Sequence, residues 1–550
     1  MAAQHTYQRG IGPVGLMMSA ISAMIGSGFL FSALYVGRIA GPAAVLAWIF
    51  GGLLVIMVAL TYAEITTMLP ITGGSTRFPQ LTHGTFNSLF FGWITWFAVM
   101  TAPAIETQAL LQYAATYWPS LLKHSSSTAT LSGHGFIAAL CLMLVFSTIN
   151  IYSIRLITRI NNWFSFWKIL IPLVTAITLM VLAFQPHNFT NPVTGGFFPH
   201  GWKGVFTAVA SGGIIFAFNG FKQAVELAGE TKNPSRSILI GIVGSLIVVL
   251  IVYLMLQTGF ISALPTSSLN QGWTHLHFNG DAGPLAGLLS YYKSHIMTDL
   301  LYVGALISTA AAALVYSTSA SRILYGMSTN RQLPKFLSEV NPHGMPSKAV
   351  LVNFIVGMSF FLPFHGWLAM AEFMSSIIAL SYITGPVCCL TLRYQLPNKD
   401  RAFKLPGIKV WAFVAFYICT LIVYWTGWAI VSKLGLCLAI SLVLFIIYRI
   451  FSERPREIHM NWRASTWIWP YIVGLTFISH YGSYGGGTGQ IPFGLDFILI
   501  AILSLISLYL AVRFRARDLH VKNTLERLEH EIKTGTPMDV PDEDMENPLY

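Results

Sequence analysis

Charge is scarce in this chain. Asp, Glu, Lys and Arg make up 10% of its 550 residues, against roughly a quarter in an ordinary soluble domain, so a water-facing globular surface is excluded. Cysteine is scarce too. All five cysteines (Cys141, Cys388, Cys389, Cys419 and Cys437) fall inside apolar segments, which excludes a disulfide framework, and their spacing matches no metal site. The adjacent pair Cys388 and Cys389 reads as packing. No HExxH and no Ser, His and Asp grouping occurs, and the histidines sit mostly between apolar segments, so neither a metalloprotease nor a serine hydrolase is indicated. The glycine run at 482–487 lacks the Lys and Ser/Thr that a phosphate-cradling loop needs, and reads as a turn. No short apolar region with a small-residue cleavage site follows a basic head, so the first segment is expected to remain as an uncleaved helix. No cofactor and no metal is implied.

What the chain does have is apolar length. Hydrophobic residues reach 54% and the mean hydropathy is +0.63, and runs of roughly 20 apolar residues, enough to cross a bilayer, recur from 13–36 to 493–514. About fourteen such segments can be counted, which makes this an all-α polytopic protein whose first partner is the lipid bilayer. The net charge of +11 could suggest nucleic acid, but Lys and Arg are spread over short loops and not gathered on one surface. With the N-terminus in the cytoplasm, roughly 27 basic residues fall inside and about 5 outside (Arg38, Lys123, Lys203, Lys293 and Lys433). That bias puts both termini in the cytoplasm of a cell, as in a plasma membrane, with a bacterial inner membrane the natural setting.

Polar intrusions concentrate in the first ten segments. The chain divides accordingly into an N-terminus at 1–11, a ten-helix core at 12–394, a cytoplasmic loop at 395–409, about four additional helices at 410–516 and a charged tail at 517–550, acidic and disordered from 539. The longest outer loop, 262–298, holds Trp273, His275, His277 and Asp281 and reads first as a solvated connector, second as a partly ordered lid. Two interruptions stand out. Ile25-Gly26-Ser27-Gly28 breaks the first segment and Phe218-Asn219-Gly220-Phe221 the sixth, and non-helical backbone survives at membrane depth only where it is buried in protein or lines a cavity. Broken helices five segments apart are what an inverted repeat places around a central site. Half-helix ends expose bare amides and carbonyls, a fixed positive and a fixed negative pole that suit a zwitterion. Amides at Gly26, Ser27 and Gly28 would hold a carboxylate, and carbonyls near Met24, Ile25, Phe216 and Ala217 an ammonium. The competing reading is that these glycines only let helices pack closely.

The same residues carry a resemblance. Ser22-Ala23-Met24-Ile25-Gly26-Ser27-Gly28-Phe29 resembles the first-helix signature of the amino acid/polyamine/organocation transporters. Ala63-Glu64 with Leu69-Pro70 and Gly73-Gly74 is similar to that family's second-helix exit. The sixth-helix block is matched by Ile215 to Phe221 followed by Gly229-Glu230-Thr231-Lys232-Asn233-Pro234-Ser235-Arg236, and the eighth-helix exit by Ser321-Arg322-Ile323-Leu324-Tyr325-Gly326-Met327 with Leu333-Pro334. The resemblance covers roughly 12–392. It implies the leucine-transporter-type five-plus-five inverted repeat and transport of an amino acid by alternating access, and it sets Phe216 as the aromatic that closes over substrate, with Phe218, Asn219 and Gly220 beside it.

Charged residues inside the apolar segments refine this. Lys168 sits between Trp167 and Ile169 in the fifth segment, where an ammonium costs about 2.5 to 3.5 kcal/mol on insertion scales and therefore needs a partner or a task. The stretch from Asn161-Asn162 to Lys168 resembles proton-coupled relatives, in which a lysine stands in the place of a bound sodium ion and approaches the first-helix break. That implies a proton as the second partner, with snorkelling of Lys168 to the inner surface as the alternative. Glu106, in Pro103-Ala104-Ile105-Glu106, could bind an ammonium, carry a proton or pair with a cation. Ser308 and Thr309 could face the break, or bond back to their own helix. Lys222 stands where many relatives carry an acid: facing the cavity it would favour an anionic side chain, facing the cytoplasm it would follow the inside rule. The third and sixth segments also look like those of bacterial aspartate/proton symporters, which leans the expected substrate towards acidic amino acids. Glu226, Glu230, Lys232 and Arg236 read as a solvated inner exit and Arg322 as an inner anchor or gate. Exchange of an amino acid for a metabolite, or sensing without transport, are the rival functions.

Overall fold

The computed structural model describes residues 10–534 apart from 72, 124–128, 153, 279–282, 330–331, 343 and 452–459, and not the side chains of 154–164, 451, 518–519 and 531–534. The expected acidic end at 539–550 and Asp281 lie outside the described residues. Everything regular is helical apart from two isolated bridges, Ile11 with Thr231 and Leu122 with Leu131.

The first segment is two short helices, α1 (Pro13–Met24) and α2 (Gly28–Ala40), followed by α3 (Ala44–Met68) and the short α4 (Gly74–His83). The long helices α5 (Thr85–Ala114), α6 (Gly133–Tyr152) and α7 (Ile154–Leu182) come next, and then the bent series α8 (Gly201–Ser211), α9 (Ile214–Ala217) and α10 (Lys222–Glu226). Pro234–Leu239 runs through a π turn into α11 (Ser245–Ser262), and α12 (Pro284–Tyr291) precedes α13 (His295–Thr329). The rest are α14 (Ser347–Ser359), α15 (Gly366–Tyr382), α16 (Thr384–Gln395), α17 (Ile408–Trp425), α18 (Trp428–Phe451), α19 (Ile468–Tyr481), α20 (Leu495–Arg513) and α21 (Asp518–Thr534).

Among the described residues ten helices are long and apolar enough to cross a bilayer, eleven if the bent pair Gly201–Ser211 and Ile214–Glu226 forms one span. The expectation of about fourteen is not met by long helices, for a physical reason. The first segment is split into pieces of 12 and 13 residues, and α14 and α19 have only 13 and 14. At 1.5 Å per residue each of these rises roughly 20 Å, short of a hydrocarbon core of about 30 Å.

Hydrogen-bonded loops mark two faces. On one, the Gly10 and Ile11 amides donate to the Glu230 carbonyl, Gly73 N–H donates to the Glu226 carbonyl, and Ala516 N–H donates to the Thr82 carbonyl. On the other, Arg38 Nε donates to the Leu276 carbonyl at 2.9 Å, and His200 Nδ1 lies 2.9 Å from the Ile39 carbonyl. The loop on that second face is not the solvated connector expected. Leu269, Trp273 and Leu276 are each 1% exposed, because Trp273 covers the small surface left by Gly37 and Gly41 at the end of α2. Between the faces α5 packs against α13 and α15, and α11 against α7. Small residues let backbones approach, as where Gly259 lies on the Ala176 carbonyl, in the manner of membrane helix pairs.

Candidate functional site

The first helix stops at Met24 because Ile25 turns out of helical space (φ −92°, ψ 85°), and α2 resumes after Ser27. Four carbonyls and four amides are orphaned by any such break, and side chains of the surrounding helices meet several. At the carbonyl end Lys168 Nζ of α7 donates to the Ser22 carbonyl at 2.8 Å, Tyr316 OH of α13 to the Ala23 carbonyl at 2.8 Å and Tyr253 OH of α11 to the Met24 carbonyl at 3.3 Å. At the amide end Ser27 N–H donates to Glu106 Oε2 of α5 at 2.8 Å. Glu106 reaches in because residue 26 has no side chain: a Cβ there would lie 2.4 Å from Glu106 Oε1. Ser27 Oγ accepts from Trp367 Nε1 of α15 at 2.8 Å.

An amino group thus caps the negative pole and a carboxyl group the positive pole, and both are buried, Lys168 at 0% and Glu106 at 1% exposure. Lys168 points into the protein rather than to either surface. The Ser27 amide, expected to hold a ligand carboxylate, is bonded to the protein's own carboxylate, and the Met24 carbonyl already accepts from Tyr253. Ile25 and Gly28 are buried at the same break.

The α-helix is interrupted at the expected 218–221, but the bend of the chain lies earlier. The chain bends by 41° between Ser211 and Ile214, whereas Asn219–Phe221 is a 3-10 turn within a continuing helical path. The reason is Gly213, at φ +94°, a conformation in which an L side chain is strained. A Cβ there would also meet Trp367 Cη2 at 2.8 Å and Ser32 Oγ at 2.9 Å. Ser211-Gly212-Gly213 is the local signal for this bend in the sequence, a few residues before the expected asparagine and glycine. The residues expected at the break do converge on the first helix: Gly220 lies against the backbone of Ala20, Ala23 and Met24. Asn219 Oδ1 accepts from Tyr382 OH at 3.3 Å, and Phe216 meets Trp367 edge-on with centroids 5.7 Å apart. Ala217 and Phe218 are fully buried, Phe218 against Trp48 and Tyr253.

Lys222 faces the interior and not the surface. Its Nζ donates to Ser381 Oγ at 3.1 Å and sits 5.4 and 5.3 Å from the ring centres of Tyr62 and Tyr382, an aromatic cage for an ammonium. Arg322 is exposed on α13, near enough for its charge to oppose the effect of burial, which pushes the Glu230 carboxyl above the ordinary carboxylate range. Glu226 and Glu230 are half-buried, the Glu230 carbonyl accepting from the amides of residues 10 and 11 and the Glu226 carbonyl from that of Gly73, while Lys232 and Arg236 are exposed. Thr309 Oγ1 bonds back to the Ala305 carbonyl at 2.6 Å and Ser308 is buried beside it. Two residues escaped sequence reasoning. Trp367 had no local signature, and Glu64, quoted only within a block, is a hub: Arg393 Nε and Nη2 donate to its two oxygens at 2.5 and 2.8 Å, Arg401 Nε lies at 3.4 Å and Leu405 N–H donates at 2.8 Å.

Interrupted helices inside an apolar bundle, with compensating ions at their ends, define a multi-pass membrane carrier and not an enzyme. The family model of the amino acid permeases matches residues 11–451, and the chain belongs to that family. Its relatives include the glutamate/serine transporter AimA of Bacillus subtilis, 34% identical over 523 residues that cover 94% of this chain and 96% of that one. The aspartate-proton symporter of the same organism is 32% identical over 518 residues (93% and 97%), and its branched-chain amino acid permease BcaP 26% over 465 (81% and 94%).

Proposed function

We propose that this permease imports an amino acid with a proton by alternating access, on a five-plus-five inverted-repeat core at 12–394, in a bacterial plasma membrane with both termini in the cytoplasm. The orientation is supported by the basic bias of the loops and by residues 10–11 and 516 meeting the same face. One observation carries the mechanism: Lys168 and Glu106, on separate helices, each hold one end of the interrupted first helix. A buried ammonium and carboxylate are costly unless paired or in use, and both can exchange a proton. Protonation of Glu106 removes the charge that holds the Ser27 amide, which then becomes available to the carboxylate of a substrate. Proton transfer from Lys168 to Glu106 frees the Ser22 carbonyl as well; Glu106 then loses a proton to the cytoplasm and Lys168 takes one from outside, which restores the starting charges with one proton carried inwards. Phe216 closes over the bound amino acid.

An acidic or broad substrate range is supported by Lys222, which has no ion pair among the described residues, and by relatives named for glutamate, serine and aspartate. The test is uptake of radiolabelled L-glutamate and L-serine into proteoliposomes under an imposed pH gradient with no amino acid inside. Accumulation that a protonophore collapses is expected, and Lys168→Ala should abolish it while leaving part of the binding. An absolute need for internal amino acid would instead establish exchange, binding without flux would mean sensing, and unchanged acid-driven uptake in Lys168→Ala would remove the coupling role.

A further inference from the structure

Trp367 is the second residue of α15 and has no part in the roles given so far. Its side chain is completely buried. The indole Nε1 donates to Ser27 Oγ in the first break, while the far edge of the same ring fills the space beside Gly213, at the hinge of the second. A single side chain therefore touches both interrupted helices. Its other contacts are aromatic: Phe216 edge-on, Phe31 at 5.2 Å and Tyr35 stacked at 5.7 Å with the planes 8° apart. Three residues beyond Tyr35, the Arg38 guanidinium lies 5.8 Å over the Tyr35 ring and its Nε holds the Leu276 carbonyl, which belongs to the loop seated on that face through Trp273. A continuous row of contacts thus runs Leu276, Arg38, Tyr35, Trp367, Ser27.

We propose that Trp367 is a positioning residue that pins the two interrupted helices to each other in the closed form, with the 263–278 segment seated behind it through Arg38 and Tyr35. This rests on the transport reading of that site. If α8 swings on Gly213, or α2 moves with Ser27, the rigid indole cannot keep both contacts, so its hydrogen bond belongs to the closed arrangement alone. A ligand is held tightly only when the site is closed. Weakening the pin therefore lowers apparent affinity without slowing the steps that need the site open, a difference between states and not a uniform loss.

The discriminating variant is Trp367→Phe, which keeps an aromatic ring in the stack and deletes the N–H. A neutral buried hydrogen bond contributes about 1 kcal/mol net, or about a five-fold change in an equilibrium. Proteoliposome uptake should show KM for L-glutamate or L-serine raised about five-fold in Trp367→Phe with the maximal rate retained, and KM raised by a similar factor in Ser27→Ala. The double variant should be no worse than either single, because both remove the same bond. Unchanged KM in Trp367→Phe, or single effects that multiply in the double, would overturn the proposal. Should Trp367→Phe not accumulate as folded protein, Tyr35→Leu removes the support behind the indole: a raised KM at retained maximal rate supports the pin, and a wild-type KM rejects it. Wild-type protein that takes up no amino acid would defeat the transport reading itself; normal wild-type uptake with unmoved variants defeats only the role of Trp367.

Discussion

At the scale of single residues, the polar side chains that matter are buried and satisfied by backbone or aromatic faces more often than by opposite charges. Lys222 is the sharpest case, an ammonium with one hydroxyl acceptor and two tyrosine faces. Its positive charge in a low-dielectric interior favours an anionic side chain nearby. Lys222→Met, similar in volume but neutral, should therefore weaken competition by glutamate and aspartate about tenfold relative to serine in a competition panel; an unchanged order would detach Lys222 from selectivity. Lys168 and Glu106 were legible in the sequence because charge is so rare among the apolar segments that each position raised a question by itself. Their partners were not, since Ser22 and Ser27 contribute backbone groups, and any residue type supplies those. Glu64 was illegible as a hub for a related reason: Arg393 and Arg401 lie more than 300 positions away, and separation in sequence hides proximity.

Among the helices, the first break is read at its true place because Ile25-Gly26-Ser27-Gly28 allows no better alternative, whereas the sixth segment has two glycine sites: the α-helix is interrupted at the expected one and bends at the other. What decides between them is backbone handedness. Gly213 lies at φ +94° and helical turns continue through Gly220, a distinction that composition does not carry. Gly213→Ala should accordingly be strongly destabilising, by about 1–3 kcal/mol for backbone strain alone, with the added conflict against Trp367 and Ser32. The expected result is a lower thermal midpoint in detergent and reduced uptake. A midpoint equal to wild type would show that the bend does not need a left-handed residue. The far-face loop was misread because its content of Gly, Pro and His looks solvated, while the few apolar side chains that anchor it, Leu269, Trp273 and Leu276, are outnumbered.

For the molecule as a whole, the described start of the tail, up to residue 534, packs on the bundle. In α21, Val521 and Leu528 are buried, His520 Nε2 lies 3.0 Å from the Gln80 carbonyl of α4, and Glu529 pairs with Lys399. Gln395 Nε2 donates to the carbonyls of both Thr82 and Ala516, at 3.1 Å each. Ending the chain after Arg517 should forfeit the burial of these two apolar side chains, about 1.5–3 kcal/mol each, seen as a lower thermal midpoint; no change would mean this helix only rests on α4.

The resident ions at the first helix break also bear on the journey without cargo. Lys168 and Glu106 together sum to zero charge, and each already covers a bare end of the helix. On the import reading proposed above, the empty protein would reopen to the other side with its dipole ends dressed, needing no outgoing passenger to make that return leg electrically tolerable, where a naked break would favour barter.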